Sequence, residues 1–460
     1  MDTLSEAASL LPAPPARLRQ DTATQRAFLP RVNRSVRELR RGTQLGAADR
    51  PWIEARLARL VRRMAASPYY REALAARGLS PRDLRLLGNL PQFPSLDRTT
   101  LVARWRDLAA AWPDEEPDLV VVRSSGTTGE PAPVPRDRYD CLHMWAVLRF
   151  WLRALEIRLP SQPRVALLDA LPGGLEYVAD LPLLRDGKLV RISLVRKEPL
   201  ARLRAFSPHV LFSDPEGLNW LQAQPDPPQP RLVLTSALPF GVAQRTALAR
   251  VVAAPVVNYY ATTETGPIAW ECPRALGLFH VLVPDVWLEV ESGEILVTRL
   301  RDSALPLLRY RTGDQARLAE EACVCGQRGP VLRDLSVRRA CRFRRPDGAT
   351  VDAWALAWLF KQVPLRAFRL VQVGPQAFRL ELSADQRNQA CAPLSLRSLR
   401  GRLLEALRLQ GFPSPRLEMR LALGTAHAAK PEPFACEWPR GGADTPTVIS
   451  GALDSWTDPP

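Results

Sequence analysis

An apolar run leads into a loop of small hydroxyl and glycine residues in Leu119-Val-Val-Val-Arg-Ser-Ser-Gly-Thr-Thr-Gly129. The apolar run predicts a short buried strand that ends in a turn. Glycine lets the backbone approach a ligand closely, and successive amide N–H groups can surround an anion. The loop therefore indicates phosphate binding, with a serine- and glycine-rich surface turn as the alternative. Its candidate residues are Ser124, Ser125, Gly126, Thr127, Thr128 and Gly129.

Short apolar runs alternate with helical patterns after this loop. The predicted strands are 164–169, 210–212, 232–235 and 256–259, and predicted helices at 218–222 and 242–252 lie between some of them. Short apolar strands separated by helices indicate a mostly parallel sheet with both faces covered. Residues 281 to 320 change to alternating strands and turns, which predicts a β-rich subdomain.

The chain of 460 residues is long enough for two or three domains. We expect an α/β protein. Its predicted parts are an N-terminal extension of loose helix and coil at 1–50, a large domain at 51–335, a small α+β domain at 336–440 and a polar, disordered tail at 441–460.

The net charge of +15 does not indicate nucleic-acid binding. Only four of the 63 basic residues are lysines, and the arginines are spread along the whole chain, which is typical of a GC-rich bacterial genome. A nucleic-acid-binding protein would be expected to show a recognisable module. A basic surface instead favours acidic partners such as ATP, coenzyme A or an acyl carrier protein.

Membrane insertion and export are not expected. No stretch approaches the roughly 18 consecutive apolar residues of a membrane span. The first residues, Met1-Asp-Thr-Leu-Ser-Glu6, lack a basic segment followed by an apolar one, so no signal peptide is predicted. These features predict a cytoplasmic protein.

Two carboxylates follow further strand-like runs. Tyr260-Ala-Thr-Thr-Glu264 follows the predicted strand 256–259, which places Thr263 and Glu264 where open α/β sheets bind ligands. A carboxylate there can hold Mg²⁺ against a triphosphate, although a carboxylate at a helix N-terminus is the alternative. In Arg309-Tyr-Arg-Thr-Gly-Asp314, a turn is predicted to present Asp314, either as an acceptor for two ribose hydroxyls or as a hairpin aspartate.

In this order, the three motifs resemble the adenylate-forming superfamily of acyl-CoA synthetases, luciferases and adenylation domains, and most closely its phenylacetate–CoA ligase branch. The segments Ala66-Ser-Pro-Tyr-Tyr-Arg71 and Leu86-Leu-Gly-Asn-Leu-Pro91 are also similar to that branch. The resemblance implies that 51–335 binds ATP and an acid, and that 336–440 is a lid.

The resemblance also implies a role for each motif. The loop from Ser124 to Gly129 would hold the pyrophosphate. Thr263 would contact the α-phosphate, and Glu264 would bind Mg²⁺. Tyr260 would lie beside the adenine, and Asp314 would bind the ribose. The family's catalytic lysine is matched by Lys430, the only lysine after Lys361, and its hinge arginine by Arg338, near ribose and phosphate.

The implied reaction converts a carboxylic acid and ATP into an acyl-adenylate and pyrophosphate, followed by transfer to coenzyme A or a carrier-protein thiol. The usual hinge aspartates are absent near Arg338, and the segment 235–239 lacks a glutamate that the family carries. The alternatives to such a thiol ligase are therefore an amide-forming synthetase, an adenylyltransferase or a nucleotide-binding scaffold without activity. Trp145, Tyr177 and the residues near Tyr259 are candidates for the acid pocket.

The seven cysteines are too few and too scattered to indicate a disulfide framework. Cys272, His280, Cys323 and Cys325 make a possible tetrahedral zinc set, with buried free cysteines as the alternative. Some relatives of phenylacetate–CoA ligase share the corresponding Glu-Cys, Leu-x-His and Cys-x-Cys-Gly elements. This resemblance implies a structural zinc ion.

Overall fold

The computed structural model describes residues 22–109, 119–123, 132–169, 176–194, 196–237, 240–336, 341–360, 365–384, 396–421 and 434–438. The α-helices there are α1 Thr22–Ala27, α2 Leu29–Gly42, α3 Arg50–Met64, α4 Pro68–Ala75, α5 Arg98–Leu108, α6 Arg138–Ala154, α7 Pro199–Phe206, α8 Pro215–Gln222, α9 Val242–Ala249, α10 Ala357–Phe360 and α11 Leu396–Leu409. The strands are β1 Val120–Arg123, β2 Pro133–Arg136, β3 Arg164–Asp169, β4 Tyr177–Leu181, β5 Gly187–Ser193, β6 Val210–Ser213, β7 Leu232–Thr235, β8 Val256–Thr262, β9 Gly266–Cys272, β10 Ala275–Val281, β11 Val286–Glu291, β12 Glu294–Arg299, β13 Tyr310–Glu320, β14 Pro330–Ser336, β15 Arg342–Arg344, β16 Thr350–Asp352, β17 Leu365–Gln372, β18 Ala377–Ala384, β19 Arg416–Leu421 and β20 Phe434–Cys436.

Twelve strands of the described residues form one sheet in the order β11-β12-β13-β14-β10-β9-β8-β7-β6-β3-β5-β4. Strands β8, β7, β6, β3 and β5 are parallel to their neighbours, and β4 closes that edge in the antiparallel direction. From β8 to β11 every pairing is antiparallel. The predicted parallel sheet and the predicted β-rich subdomain are thus two halves of one continuous sheet.

Helices cover both faces of the parallel half. Side chains alternate along a strand, and in β3 they enter two different apolar clusters. Val165 lies in a cluster with Trp151 of α6, whereas Ala166 and Leu168 lie in a cluster with Leu203 of α7. The predicted α/β class is therefore confirmed, and a strand with apolar residues on both faces is the physical reason for it.

Strand β8 joins the two halves. Its first part, Val256–Asn258, pairs in parallel with β7, and its second part, Tyr259–Thr262, pairs antiparallel with β9. The predicted strand 256–259 therefore continues to Thr262. Its end lies at the carboxyl edge of the parallel strands, which is where open α/β sheets bind ligands.

Strand β1 corrects one expectation. The run Leu119 to Val122 was expected to form a buried strand, yet Val121 is 40% exposed. Strands β1 and β2 form a separate two-stranded antiparallel sheet in which Arg123 lies opposite Pro133. The residues Pro133 to Pro135 of β2 are buried, whereas Val121 of β1 stays partly in solvent.

Helix α2 is more regular than the loose helix and coil predicted for the first fifty residues. Val32, Val36 and Leu39 recur at helical spacing and are buried. Val32 and Val36 share an apolar cluster with Tyr139 of α6, whose hydroxyl lies 2.5 Å from Ser35 Oγ. Part of the N-terminal extension thus packs on the large sheet's helices. Among the described residues, no helix is long and apolar enough to cross a membrane.

The C-terminal residues have an apolar cluster of their own. It contains Phe343, Phe378 and Phe434, together with Leu399 and Leu403 of α11. A four-stranded sheet in the order β19-β18-β17-β20 carries this cluster, with an antiparallel pair in the centre and parallel strands outside. An α+β unit is what the sequence predicts for this region.

Candidate active site

The turn after β8 presents the first predicted carboxylate. Thr262 Oγ1 accepts a hydrogen bond from Thr265 N at 3.1 Å and so fixes the turn. Glu264 is only 5% exposed, and its Oε1 accepts a hydrogen bond from Arg98 Nη1 of α5 at 2.6 Å. The carboxylate thus stands at the ligand-binding edge of the sheet with one cation already beside it. Arg98 was not predicted, because its contact spans 166 positions of the sequence.

The second carboxylate lies within a strand. Asp314 was expected in a turn after a strand-like run, and this expectation is wrong, because β13 runs continuously from Tyr310 to Glu320. Gly313 has a φ of +80°, and the pairing of β13 with β12 shifts register nearby. Such a bulge, which glycine permits at positive φ, re-aims the side chain that follows it.

A buried tyrosine holds Asp314. Tyr260 Oη donates a hydrogen bond to Asp314 Oδ2 at 2.7 Å, and both residues are buried. Burial, and after it the charge of Asp314, raises the pKa of Tyr260 well above its usual value, so the hydroxyl remains a donor. The structure therefore brings together two residues that the sequence motifs place 54 positions apart.

A cavity of about 310 Å³ lies next to the turn. Trp145 and Tyr177, both candidates for an acid pocket, pack instead against an apolar cluster that contains Trp151. The residues near Tyr259 are the remaining candidates, and Tyr259, Ala261 and Thr262 do border the cavity. The lining residues are Arg136, Asp140, Cys141, His143, Met144, Ser236, Ala237, Tyr259, Ala261, Thr262, Thr263, Gly266, Pro267, Arg299 and Arg301.

Buried charges form one wall of this cavity. Asp140 of α6 accepts hydrogen bonds from Arg301 Nη1 and from Ser303 Oγ, the latter at 2.7 Å. Arg299 donates to the backbone oxygen of Glu264 at 3.0 Å, so it also supports the turn after β8. The sequence reasoning missed these residues, although two arginines at alternate positions after an apolar strand were a visible signal.

Four candidate zinc ligands converge beside the antiparallel half. Cys272, His280, Cys323 and Cys325 place one ligand atom each within 4.8 Å of the others. The Cys323 and Cys272 sulfurs are 3.6 Å apart, close to the about 3.8 Å between sulfurs bound to one tetrahedral zinc ion. Burial lowers the pKa of His280 to about 4, so its imidazole is neutral at pH 7, the form that binds metal. The donor set and spacing fit zinc.

Several predicted site residues lie outside the described residues. They are the loop Ser124 to Gly129, the hinge residue Arg338 and the proposed catalytic Lys430. The flanks of the loop are described: β1 ends at Arg123, and Arg136 at the end of β2 donates to the Thr263 oxygen at 2.9 Å.

Comparisons with known proteins bear on this arrangement. No protein-family model matches the chain. It is 28% identical over 297 residues to the phenylacetate–coenzyme A ligase of Thermus thermophilus, a match that covers 58% of this chain and 65% of that protein. It is 29% identical over 281 residues to the Escherichia coli enzyme of the same name, covering 55% and 62%. The sequence is similar to those of phenylacetate–coenzyme A ligases. The resemblance that the three motifs indicate is therefore confirmed, although the matches span less than two thirds of these ligases.

The chain also shares its general fold with solved structures. It is similar to 2-hydroxyisobutyryl-CoA ligase in the postadenylation state in complex with 2-HIB-AMP, with a TM-score of 0.58 and 16% identity over 87% of this chain and 92% of that one. The same ligase with 2-HIB-AMP and CoA in the thioesterification state gives a TM-score of 0.57 at 17% identity over 86% and 91%. At such identities the likeness establishes the general fold alone.

Proposed function

We propose that the protein activates a carboxylic acid with ATP, releasing pyrophosphate, and then transfers the acyl group from AMP to coenzyme A or a carrier-protein thiol. The observation that supports this most is the placement of Thr263 and Glu264 at the end of β8, with Asp314 held through Tyr260 of the same strand. Phosphate, metal and ribose ligands would then face one nucleotide. The relationship to phenylacetate–coenzyme A ligases supports the same reaction.

In the first step, a carboxylate oxygen attacks the α-phosphorus, and the bond from that phosphorus to the bridging oxygen of pyrophosphate breaks. The step brings two anions together, so it depends on cations and preorganised donors more than on an acid or a base. Glu264 would hold Mg²⁺, which neutralises the triphosphate when bound. Lys430 would bridge the carboxylate and the phosphate as a point charge, and Arg338 would lie near the ribose and phosphate.

The other parts of the chain have proposed roles too. Residues 51–335 would bind ATP and the acid, and 336–440 would form the lid. A structural zinc ion at Cys272, His280, Cys323 and Cys325 would join the β9–β10 hairpin to the turn between β13 and β14. Four protein ligands close the coordination shell, so such an ion takes no part in the chemistry.

Pyrophosphate exchange tests the first step. ATP labelled by exchange with pyrophosphate should appear only when a suitable acid is present, and a panel of aryl and aliphatic acids would find it. If none of the acids supports exchange, even at high protein concentration, the proposal is contradicted. Trapping with hydroxylamine, with and without coenzyme A, identifies the acceptor: a thioester supports the thiol, whereas AMP left on the acceptor indicates an adenylyltransferase.

Tyr260→Phe is expected to weaken ATP binding by at least about tenfold, because a hydrogen bond to a charged group contributes about 1.5–3 kcal/mol. Calorimetric titration with ATP measures this directly. Tyr70→Phe is the matched control, since the Tyr70 hydroxyl is equally buried but donates to the backbone oxygen of Pro306 at 3.0 Å. Equal ATP affinity in both variants would contradict a ribose-binding role for Asp314.

A further inference from the structure

The cavity beside Thr263 is basic and polar on one side. We propose that the acid taken there carries a second anionic group, such as the second carboxylate of a short dicarboxylic acid, and that Arg136 binds it. This inference rests on the proposed acid activation, since it concerns the identity of the acid. It is supported by the charges of the cavity wall, by the contacts of Arg136 and by the cavity's size and shape.

Two of the three arginines in the wall share one carboxylate. Arg301 Nη1 donates to Asp140 Oδ1, and Arg299 Nη2 lies 3.8 Å from the same oxygen. Burial lowers the pKa of Arg299 to about 10, with repulsion from Arg301 and Arg136 acting in the same direction. The direct contacts of the Asp140 carboxylate thus go to Arg301, Arg299 and Ser303, and its charge acts on a third guanidinium only from outside ion-pair distance.

Arg136 is that third guanidinium. Its Nη2 donates to the backbone oxygen of Thr263 at 2.9 Å, and within the described part of the chain no carboxylate forms an ion pair with it. Burial lowers the pKa of Arg136, which reflects a charge with incomplete solvation. A guanidinium offers five N–H donors in a planar fork that matches a carboxylate. A partly buried cation that forms no ion pair is costly, so an anionic ligand in direct contact with it would be stabilised.

The other wall restricts the acid to a small molecule with an apolar middle. Met144, Tyr259, Ala261 and Pro267 supply apolar surface. The volume of about 310 Å³ is at the lower end for ligand pockets, which run from about 300 to 1,000 Å³. Burial raises the pKa of the Cys141 thiol to about 11, so this group is neutral at pH 7. Asp137 also lies nearby, but its Oδ1 accepts a hydrogen bond from Asp140 N at 2.7 Å and caps α6.

Matched acid pairs test the proposal. Butanoate and pentanedioate differ by one carboxylate, as do 3-methylphenylacetate and 1,3-phenylenediacetate. In acid-dependent pyrophosphate exchange, the native protein should have a higher kcat/KM for the diacid of each pair. Arg136→Met should lower kcat/KM for the diacid by about 30-fold or more, because removing one partner of a buried charge pair costs at least this much. Its kcat/KM for the monoacid should stay within a few fold of the native value. Arg136→Lys should retain part of the preference, and the exposed Arg62→Met on α3 is the control.

Each outcome decides the question. Equal losses for monoacids and diacids in Arg136→Met would mean that this side chain acts through the turn at Thr263 or on the nucleotide phosphates, and the proposal would be wrong. A native preference for the monoacids would overturn it as well. If no acid supports exchange, the proposed function fails, and calorimetric titration with pentanedioate and butanoate still tests the cavity. Tighter binding of pentanedioate that Arg136→Met abolishes supports the inference, and equal binding refutes it.

Discussion

Glu264→Gln is expected to reduce acid-dependent pyrophosphate exchange by about 100-fold or more, the typical cost of losing one preorganised electrostatic contact to a reacting group. Glutamine has nearly the same shape but carries no charge for Mg²⁺, which prefers carboxylate oxygens. The carboxylate already accepts a hydrogen bond from Arg98 at 2.6 Å, so Mg²⁺ would have to share or displace this cation. We therefore expect the Mg²⁺ concentration for half-maximal exchange to rise in the variant.

Glu176→Gln is the matched control for this substitution. Glu176 is also a partly buried glutamate in an ion pair, with Arg202 Nη1 2.7 Å from its Oε1. It contacts Ser193 at the end of β5, which is four strand spacings from β8 in the sheet. Both variants lose one arginine–carboxylate pair, but only Glu264→Gln should lose exchange. Equal activity in the two variants would remove Glu264 from the proposed metal site.

The second large effect concerns the cysteine–histidine cluster. The purified protein is expected to contain one zinc ion per chain. Cys323→Ser is expected to lower the melting temperature by about 5–10 °C. This shift corresponds to a loss of roughly 2–3 kcal/mol of stability, because each kcal/mol shifts the melting temperature by about 2–4 °C. The reason is geometric, because one ion would bind residues of β9, β10 and the turn before β14. Metal analysis and thermal unfolding measure the two effects.

Cys436→Ser controls for the loss of a thiol. Cys436 lies outside the cluster and is partly exposed, so its replacement should change the free energy of unfolding by no more than about 0.5 kcal/mol. A strong chelator should lower the melting temperature of the native protein as much as Cys323→Ser does. It should not lower the melting temperature of the variant further. A zinc content well below one per chain would show that the four residues are a cluster of free thiols and an imidazole.

Local patterns predicted much of the fold. Strands β3 and β7 begin and end at the predicted residues, because each is a short apolar run bounded by polar residues. Helix α2 was predicted only as part of loose helix and coil, although Val32, Val36 and Leu39 have helical spacing, since the many arginines around them hide the apolar face. The bulge that places Asp314 inside a strand depends on Gly313 at positive φ. A glycine at positive φ is equally compatible with a turn, so the sequence does not distinguish the two structures.

The site was predictable where a motif carries it and not where tertiary contacts do. Thr263 and Glu264 lie at a strand end because the motif directly follows that strand. The pairing of Arg98 with Glu264, and of Arg301 with Asp140, joins residues more than 160 positions apart. Such pairs depend on how the helices dock on the sheet, and no local pattern contains that information. The spacing of Arg299 and Arg301 was visible in the sequence, but their meeting with Asp140 in one cavity wall was not.

Consecutive residues of β8 serve two different ligands in the proposed reaction. Tyr259 faces the acid cavity, whereas Tyr260 points to the opposite side and holds Asp314. The alternation of side chains along the strand would thus fix the orientation of the acid relative to the nucleotide, and pairing with β7 and β9 keeps the strand in register. Inserting or deleting one residue here would exchange the two faces. Substrate preference can therefore diverge in this protein through substitutions around β8, but not through changes in its length.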